Sequence, residues 1–189
     1  MSIKIYLDQG HNPMGFNTGA EGNGFFEQDI TYEIGTRLAN LLRANPEFEV
    51  RVSRPTPESV LGTNNSSSLT ARVRDANSWG ADVFLSLHTN AAARESASGS
   101  EALVYSYSST VARELAEDIL EELTETTGLR NRGVIERPGL YVLRRTNMPA
   151  VLVEMGFISN PGDAELMAYS PDLFARGIYR GILEYYDLA

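Results

Sequence analysis

One α/β domain over residues 1–189, with a mainly parallel twisted sheet and helices on both faces, is the fold class this sequence predicts. Three observations carry that expectation. Short apolar runs alternate along the chain with longer stretches of helical period, which implies crossover connections between parallel strands. The run from Ala81 to His88 is nearly continuous in apolar residues and bounded by turn residues, as in a strand buried on both faces. No internal repeat, low-complexity tract or linker divides the chain, and 189 residues suit one domain.

Residues 3–8 carry Ile3, Ile5 and Leu7 in alternation and end in the turn-rich Asp8-Gln9-Gly10-His11, the first expected strand. Residues 9–25, rich in Gly, Asn and Thr with Pro13, read as a long loop. From Phe26 to Leu42, the residues Ile30, Ile34, Leu38, Leu41 and Leu42 form one apolar stripe of a helix. A second strand is expected over 48–53, and then a polar surface loop over 55–68 that a short helix leaves at Leu69, ending at Trp79. After the buried third strand come a loop at 91–100, a strand at Glu101–Tyr107 and a helix at Val111–Leu123, closed near Gly128. Residues 129–139 carry mixed charge and no assigned element. Tyr141–Leu143 and Ala150–Glu154 read as strands, and helices at 161–168 and 171–186 finish the chain.

Composition removes several classes of function. Sixteen basic against twenty-five acidic side chains give a net charge of −9, which argues against nucleic acid or an anionic membrane as partner. The apolar runs are all far shorter than a membrane span. With no cysteine there is no disulfide, thiolate zinc site, iron–sulfur cluster or thiol nucleophile. No basic segment followed by an apolar stretch opens the chain, so no secretory leader is expected within it and the export route stays open. The motifs GxSxG and GxxxxGK[ST] are missing. In Gly22-Asn23-Gly24, Glu27 takes the place of the third glycine of GxGxxG, and a carboxylate there would repel a pyrophosphate.

The two histidines, His11 and His88, confine any two-histidine metal site to that pair. Ligands of open α/β sheets bind outside the carboxyl ends of the strands. The expected strand ends deliver Asp8 and His11, His88 and Asn90, and Glu154 to that edge, with Glu27 opening the first helix just beyond. Two imidazoles and one carboxylate form a ligand set for catalytic zinc with one position left open, and a further carboxylate can then move protons. Blander readings stand beside this one. Either histidine alone suits a hydrogen-bonded surface residue, and Glu27 could simply complement a helix dipole. Glu154, set in the apolar Val151–Phe157 stretch, could pair with Arg144, Arg145, Arg72 or Arg74. Asp8 suits a turn cap or a residue orienting His11, Asn90 a loop cap, and Glu101 a solvated strand edge.

The ordered motifs resemble those of the zinc-dependent N-acetylmuramoyl-L-alanine amidases over nearly the whole chain. Asp8-Gln9-Gly10-His11, Gly19-Ala20 with Glu27-Gln28-Asp29-Ile30, Leu69-Thr70-Ala71-Arg72 with Ala76-Asn77, and Ala81 through Ala91 match the family in order. Gly99-Ser100-Glu101, Arg132-Gly133-Val134, Val142-Leu143-Arg144 and Met148 through Pro161 continue the series. The resemblance implies one zinc ion held by His11, Glu27 and His88, with Glu154 as the catalytic carboxylate. It also implies hydrolysis of the amide joining the lactyl group of N-acetylmuramic acid to L-alanine in peptidoglycan, action on the cell wall outside the cytoplasm, and a muropeptide or peptidoglycan substrate. Asp8, Asn90 and Glu101 are expected to contact substrate or to support the ligands. Gln9 replaces the family's usual proline, Asn12-Pro13 its glycines and Thr89 a common alanine, changes that alter the loops entering the site. No wall-binding repeat flanks the domain, and a charge of −9 gives no pull toward an anionic wall, so a recruiting protein or a separate wall-binding module is expected. A zinc peptidase acting within the stem peptide, or a non-catalytic peptidoglycan-binding module, are the rival readings.

Overall fold

Strand β1 (Ile3–Gln9) turns the alternation of the first residues into a two-faced division of the molecule. A computed structural model describes residues 2–189. Ile5 and Leu7 face one helix layer, and Tyr6 and Asp8 face the other. Further strands are β4 (Phe48–Val52), β5 (Val83–Asn90), β6 (Ser100–Val104), β7 (Asn131–Glu136) and β8 (Ala150–Phe157). With β1 they form one six-stranded sheet in the order β4-β1-β5-β8-β6-β7. Every pairing is parallel except β6 with β8, in agreement with the expected mainly parallel sheet.

Helix α1 (Glu27–Ala44) places Ile30, Ile34, Leu38 and Leu42 on the sheet and carries Glu27 and Asp29 in its first turn, where acids complement the helix dipole. Helices α3 (Thr110–Thr127) and α6 (Pro171–Tyr185) join it on that face over Leu7, Leu85, Val151 and Val153. Two glycines of α6 set the distance to α3. A Cβ on Gly181 would collide with the Ile119 backbone, and one on Gly177 would come within 2.8 Å of Leu123 Cα. Gly181→Ala is therefore expected to lower stability by about 1–3 kcal/mol through overpacking, read as a drop in thermal midpoint without loss of bound metal.

The opposite face is thinner. Helix α2 (Asn65–Trp79) and the short α4 (Tyr141–Arg145) cover Tyr6, Phe84, Leu103 and Leu152 with Val73, Ala76, Val142 and Leu143. The chain leaves β1 through α1 for β4 on one side, then crosses back through α2 on the other face to β5 on β1's far side. That reversal opens a crevice at the carboxyl ends of β1 and β5, where ligands of such sheets bind. Helix α5 (Pro161–Tyr169), with Pro161 in its first turn and Asn160 capping it, follows β8.

Several local expectations change. Tyr141–Leu143 is the start of helix α4 rather than a strand; its neighbours Val142 and Leu143 are both buried against one layer, which strand alternation would forbid. The mixed-charge stretch 129–139 contains β7, an edge strand whose charges suit an unpaired border. The long loop 9–25 holds a small hairpin, β2 (Glu21–Gly22) and β3 (Phe25–Phe26), turned at Asn23 and Gly24 with φ of 53° and 81°. An Asn-Gly turn of that hand is the strongest short hairpin signal. Helix α2 begins four residues before Leu69 because Asn64 and Ser67 cap each other's backbone.

Candidate metal centre

His11 follows the end of β1 with φ of 70°, a left-handed conformation that histidine tolerates better than most residues. Its ring Nδ1 lies 3.2 Å from the Asn17 carbonyl, a bond in which that nitrogen donates and leaves Nε2 as the free lone pair. His11 Nε2 stands 3.1 Å from Glu27 Oε1, and His88 Nδ1, near the end of β5, stands 3.0 Å from the same oxygen. Gly10 lets the two arms converge, since a Cβ there would come within 2.7 Å of the His88 ring.

Glu27, the first residue of α1, is 3 % exposed. Its Oε2 accepts from Ala20 N at 2.8 Å and its Oε1 from Thr89 N at 2.9 Å, so the loop before β2 and strand β5 together fix the carboxylate. Burial works against its charge, but hydrogen bonds from and the charges of His11 and His88 outweigh this and hold the carboxyl well below the usual carboxylate range. One ligand atom from each of His11, Glu27 and His88 lies within 4.8 Å of the others, a grouping able to hold a metal ion. Neutral imidazole nitrogens and an ionised carboxylate suit zinc in donor type, and the histidine side chains remain 19 and 20 % exposed, so the cluster opens to solvent. The residues fit the ion.

Glu154 lies on β8 directly across from His88 in the parallel register and on the same sheet face. Its Oε2 is buried and makes no hydrogen bond among the described residues. Burial, followed by the negative charges of Glu27 and Glu101, pushes its carboxyl up to about 8.

No arginine pairs with Glu154 among the described residues, so the ion-pair reading of this residue fails. Arg72 serves Asp8 instead, Nη1 to Oδ1 at 2.5 Å, with both side chains buried. The same guanidinium donates to the Gln9 and His11 carbonyls at 2.8 and 2.6 Å and to Asn12 Oδ1 at 3.2 Å. Burial opposes the Asp8 charge, but the Arg72 charge and hydrogen bonds from Ser86 and Arg72 prevail and lower its pKa. Asp8 thus sits behind His11 and reaches it through Arg72.

Asn90 and Glu101 also meet, with Asn90 Nδ2 donating to Glu101 Oε1 at 2.8 Å. Glu101 is 7 % exposed and lies on an interior strand, so the blander reading of it as a solvated strand edge fails. Its other oxygen accepts from Arg132 Nε at 3.0 Å. The residues that sequence reasoning passes over are Arg72 as a clamp, Arg132, Asn12 and the amides of Ala20 and Thr89. Arg72 and Arg132 stand inside the ordered motifs; the backbone amides leave no signal in side-chain identity. The altered family positions are structural contacts. Gln9 takes Arg54 N on its Oε1 at 2.9 Å, and Asn12 holds Leu61 through both backbone groups. A cavity of about 110 Å³ adjoins the cluster, walled by His11, His88, Leu69, Leu140, Tyr141 and Leu152 among others.

A mainly parallel α/β sheet with a two-histidine, one-carboxylate cluster at its switch point and a free buried carboxylate beside it defines the class of a hydrolase with a candidate metal site. Residues 5–184 match the family model for N-acetylmuramoyl-L-alanine amidase. The chain belongs to that family of enzymes, which hydrolyse peptidoglycan. It is 35 % identical over 190 residues to N-acetylmuramoyl-L-alanine amidase CwlM of Bacillus licheniformis, spanning 99 % of this chain and 70 % of that one. Among solved structures, an N-acetylmuramoyl-L-alanine amidase from Clostridium difficile 630 superposes with a TM-score of 0.88 at 31 % identity, covering 98 % of this chain and 97 % of the other. The CwlD amidase from Clostridioides difficile, solved in complex with the GerS lipoprotein, gives 0.88 at 27 % identity with full coverage of both chains.

Proposed function

We propose that residues 1–189 act as one catalytic domain that holds a single zinc ion through His11 Nε2, Glu27 and His88 Nδ1 and cleaves the amide between the lactyl group of N-acetylmuramic acid and L-alanine. The observation that carries this reading is the convergence of those three donors beside the unpartnered carboxyl of Glu154 in a chain of the amidase family. When bound, zinc supplies Lewis acidity toward the scissile carbonyl and acidifies water. The protein does the rest. The Asn17 carbonyl fixes the His11 tautomer, the Ala20 and Thr89 amides orient Glu27, and Arg72 holds the backbone of His11. Glu154, kept with a raised affinity for protons in a nearly dry position, takes the proton of the attacking water and passes it to the leaving amine.

Among the described residues no helix is long and apolar enough to cross a membrane, and a cell-wall substrate supports action outside the cytoplasm. The CwlD–GerS complex supports a recruiting protein for this chain as well.

Mass spectrometry of material released from purified peptidoglycan by the zinc-loaded protein tests the reading. Free stem peptides beginning with L-alanine, beside bare glycan, are expected. Shortened stems still joined to sugar would make it a peptidase on the same site, and no release with zinc bound would leave a binding module. His88→Ala is expected to weaken zinc binding by about 100-fold or more, since changes one shell further out already cost 10–100-fold. Competition with a chromophoric chelator measures this, and unchanged affinity would remove His88 from the ligand set.

A further inference from the structure

We propose that Arg132 is a specificity residue for the reaction above, its outer guanidinium edge receiving a carboxylate carried by the second residue of the peptide. The inference rests on the zinc amidase reading and deepens it. A row of charged side chains crosses four neighbouring strands on the thinly covered face of the sheet. His88 on β5 faces Glu154 on β8 in register, Glu154 faces Glu101 on β6, and Glu101 binds Arg132 on β7. The row begins at the metal cluster and ends at a cation.

The Arg132–Glu101 contact leaves donors over. Arg132 Nε goes to Glu101 Oε2 at 3.0 Å, Nη1 reaches the Ser98 carbonyl at 3.4 Å, and Nη2 makes no hydrogen bond among the described residues. Glu101 spends its other oxygen on Asn90, so it is satisfied without taking a second guanidinium nitrogen. The Arg132 side chain is a third exposed and lies 4.9 Å from the Phe157 ring centroid, which restrains its plane. A planar fork with five donors can serve two carboxylates at once. The position is otherwise hostile to an anion, because Glu101 and Glu154 stand beside it. Arg132 is what makes an acidic group tolerable there.

Distance selects which acidic group. Neighbouring strands are about 4.8 Å apart, so Glu101 on β6 stands about 10 Å and the Arg132 backbone on β7 about 14 Å from the His88 strand, with the guanidinium between the two. A peptide advances at most about 3.6 Å per residue, which puts a carboxylate on the second residue about 7–8 Å beyond the scissile carbonyl. Adding about 2 Å from carbonyl oxygen to metal and about 2.9 Å for the hydrogen bond to the guanidinium gives about 12–13 Å, which closes the gap. An acid on the third residue would overshoot by several ångströms.

The test compares two muramyl tripeptides whose glutamyl second residue is joined to the third through its γ-carboxyl, identical except that the α-carboxyl of that second residue is free in one and amidated in the other. The zinc-loaded wild type is expected to favour the free acid by about tenfold or more in kcat/KM, chiefly through KM. R132Q is expected to erase at least most of that ratio, and R132K to restore part of it. If R132Q lowers both substrates equally, Arg132 only positions Glu101 and the proposal is overturned. Cleavage of both by the wild type with no charge preference overturns it alone, while cleavage of neither at the lactyl amide removes the amidase reading together with it.

Discussion

Glu154→Gln is expected to reduce hydrolysis by about 10²–10⁴-fold, to leave zinc bound, and to make the metal-free protein more stable above pH 6. The loss of activity follows from removing the group proposed to move the proton, which general acid–base catalysis places at about 10²–10⁴-fold. The gain in stability follows from the environment of the carboxyl. It is raised to about 8, first by burial and then by Glu27 and Glu101, and its Oε2 has no partner among the described residues. The unfolded chain ionises this group near 4.5, so the folded state holds the proton more tightly than the unfolded state does. The stability tied to it is intact below pH 4.5 and is lost as pH rises through about 8.

Glutamine has the same shape and no charge to bury. The stability difference between variant and wild type in chelator should therefore grow from near zero at pH 4.5 to about 2–4 kcal/mol at pH 8–9. Each pH unit separating the folded and unfolded ionisations contributes about 1.4 kcal/mol, reduced here for partial exposure. For a chain of this length the full effect is about 4–16 °C in thermal midpoint. Added zinc brings a positive charge next to Glu154 and should shrink the gap. Thermal scans from pH 5 to 9, with chelator and with zinc, measure all three effects. A gap that does not vary with pH would mean that Glu154 is not a destabilised buried acid, and loss of zinc from the variant would recast it as a ligand.

The same residue shows how far side-chain chemistry can be read from sequence. As candidates, His88 and Glu154 are legible because each is a polar residue at the end of or inside an apolar run, where burial demands a reason, whereas His11 and Glu27 stand beyond a turn and at a helix start and are singled out by the strand-edge rule and the ordered motifs. The sheet is legible for a related reason: Ala81–His88 and Ala150–Glu154 are too apolar to lie on a surface. Short elements are not. Tyr141–Leu143 has three residues, too few for either period to declare itself, and packing on α2 decides for helix. Strand β7 is an edge strand with charged residues, so the pattern that reveals interior strands is missing from it. Partnerships are least legible of all. Arg72 is among the partners the sequence offers Glu154, yet Asp8 takes it; nothing in the spacing of residues 8, 72 and 154 distinguishes the two carboxylates. Strand order decides it, because Asp8 on β1 pairs in register with Ser86, two residues before His88, on the face that α2 covers.

Arg72→Met is expected to cost about 3–5 kcal/mol, among the largest effects of any single change outside the apolar core. The cost is not the worth of the Asp8–Arg72 pair but the penalty for leaving Asp8, 1 % exposed, as a buried charge with only the Ser86 hydroxyl to answer it. In the wild type the Asp8 pKa is lowered by Arg72 and Ser86 against burial, so its stabilising contribution is present above pH 3.8 and lost as pH falls. In the variant, burial acts with little opposition, and the deficit should narrow toward low pH as Asp8 takes up a proton. Adding Asp8→Asn removes the stranded charge while keeping a carbonyl oxygen for Ser86, and the double variant should recover most of the lost stability. Zinc affinity should behave differently. Arg72 also holds the His11 carbonyl at 2.6 Å, together with Asn12 Oδ1, and the double variant leaves that loop unclamped. Its zinc affinity is therefore expected to stay about 10–100-fold below wild type even where its thermal midpoint has recovered. Recovery of both together in the double variant would show that the His11 loop is held by other contacts and that Arg72 serves only to neutralise Asp8.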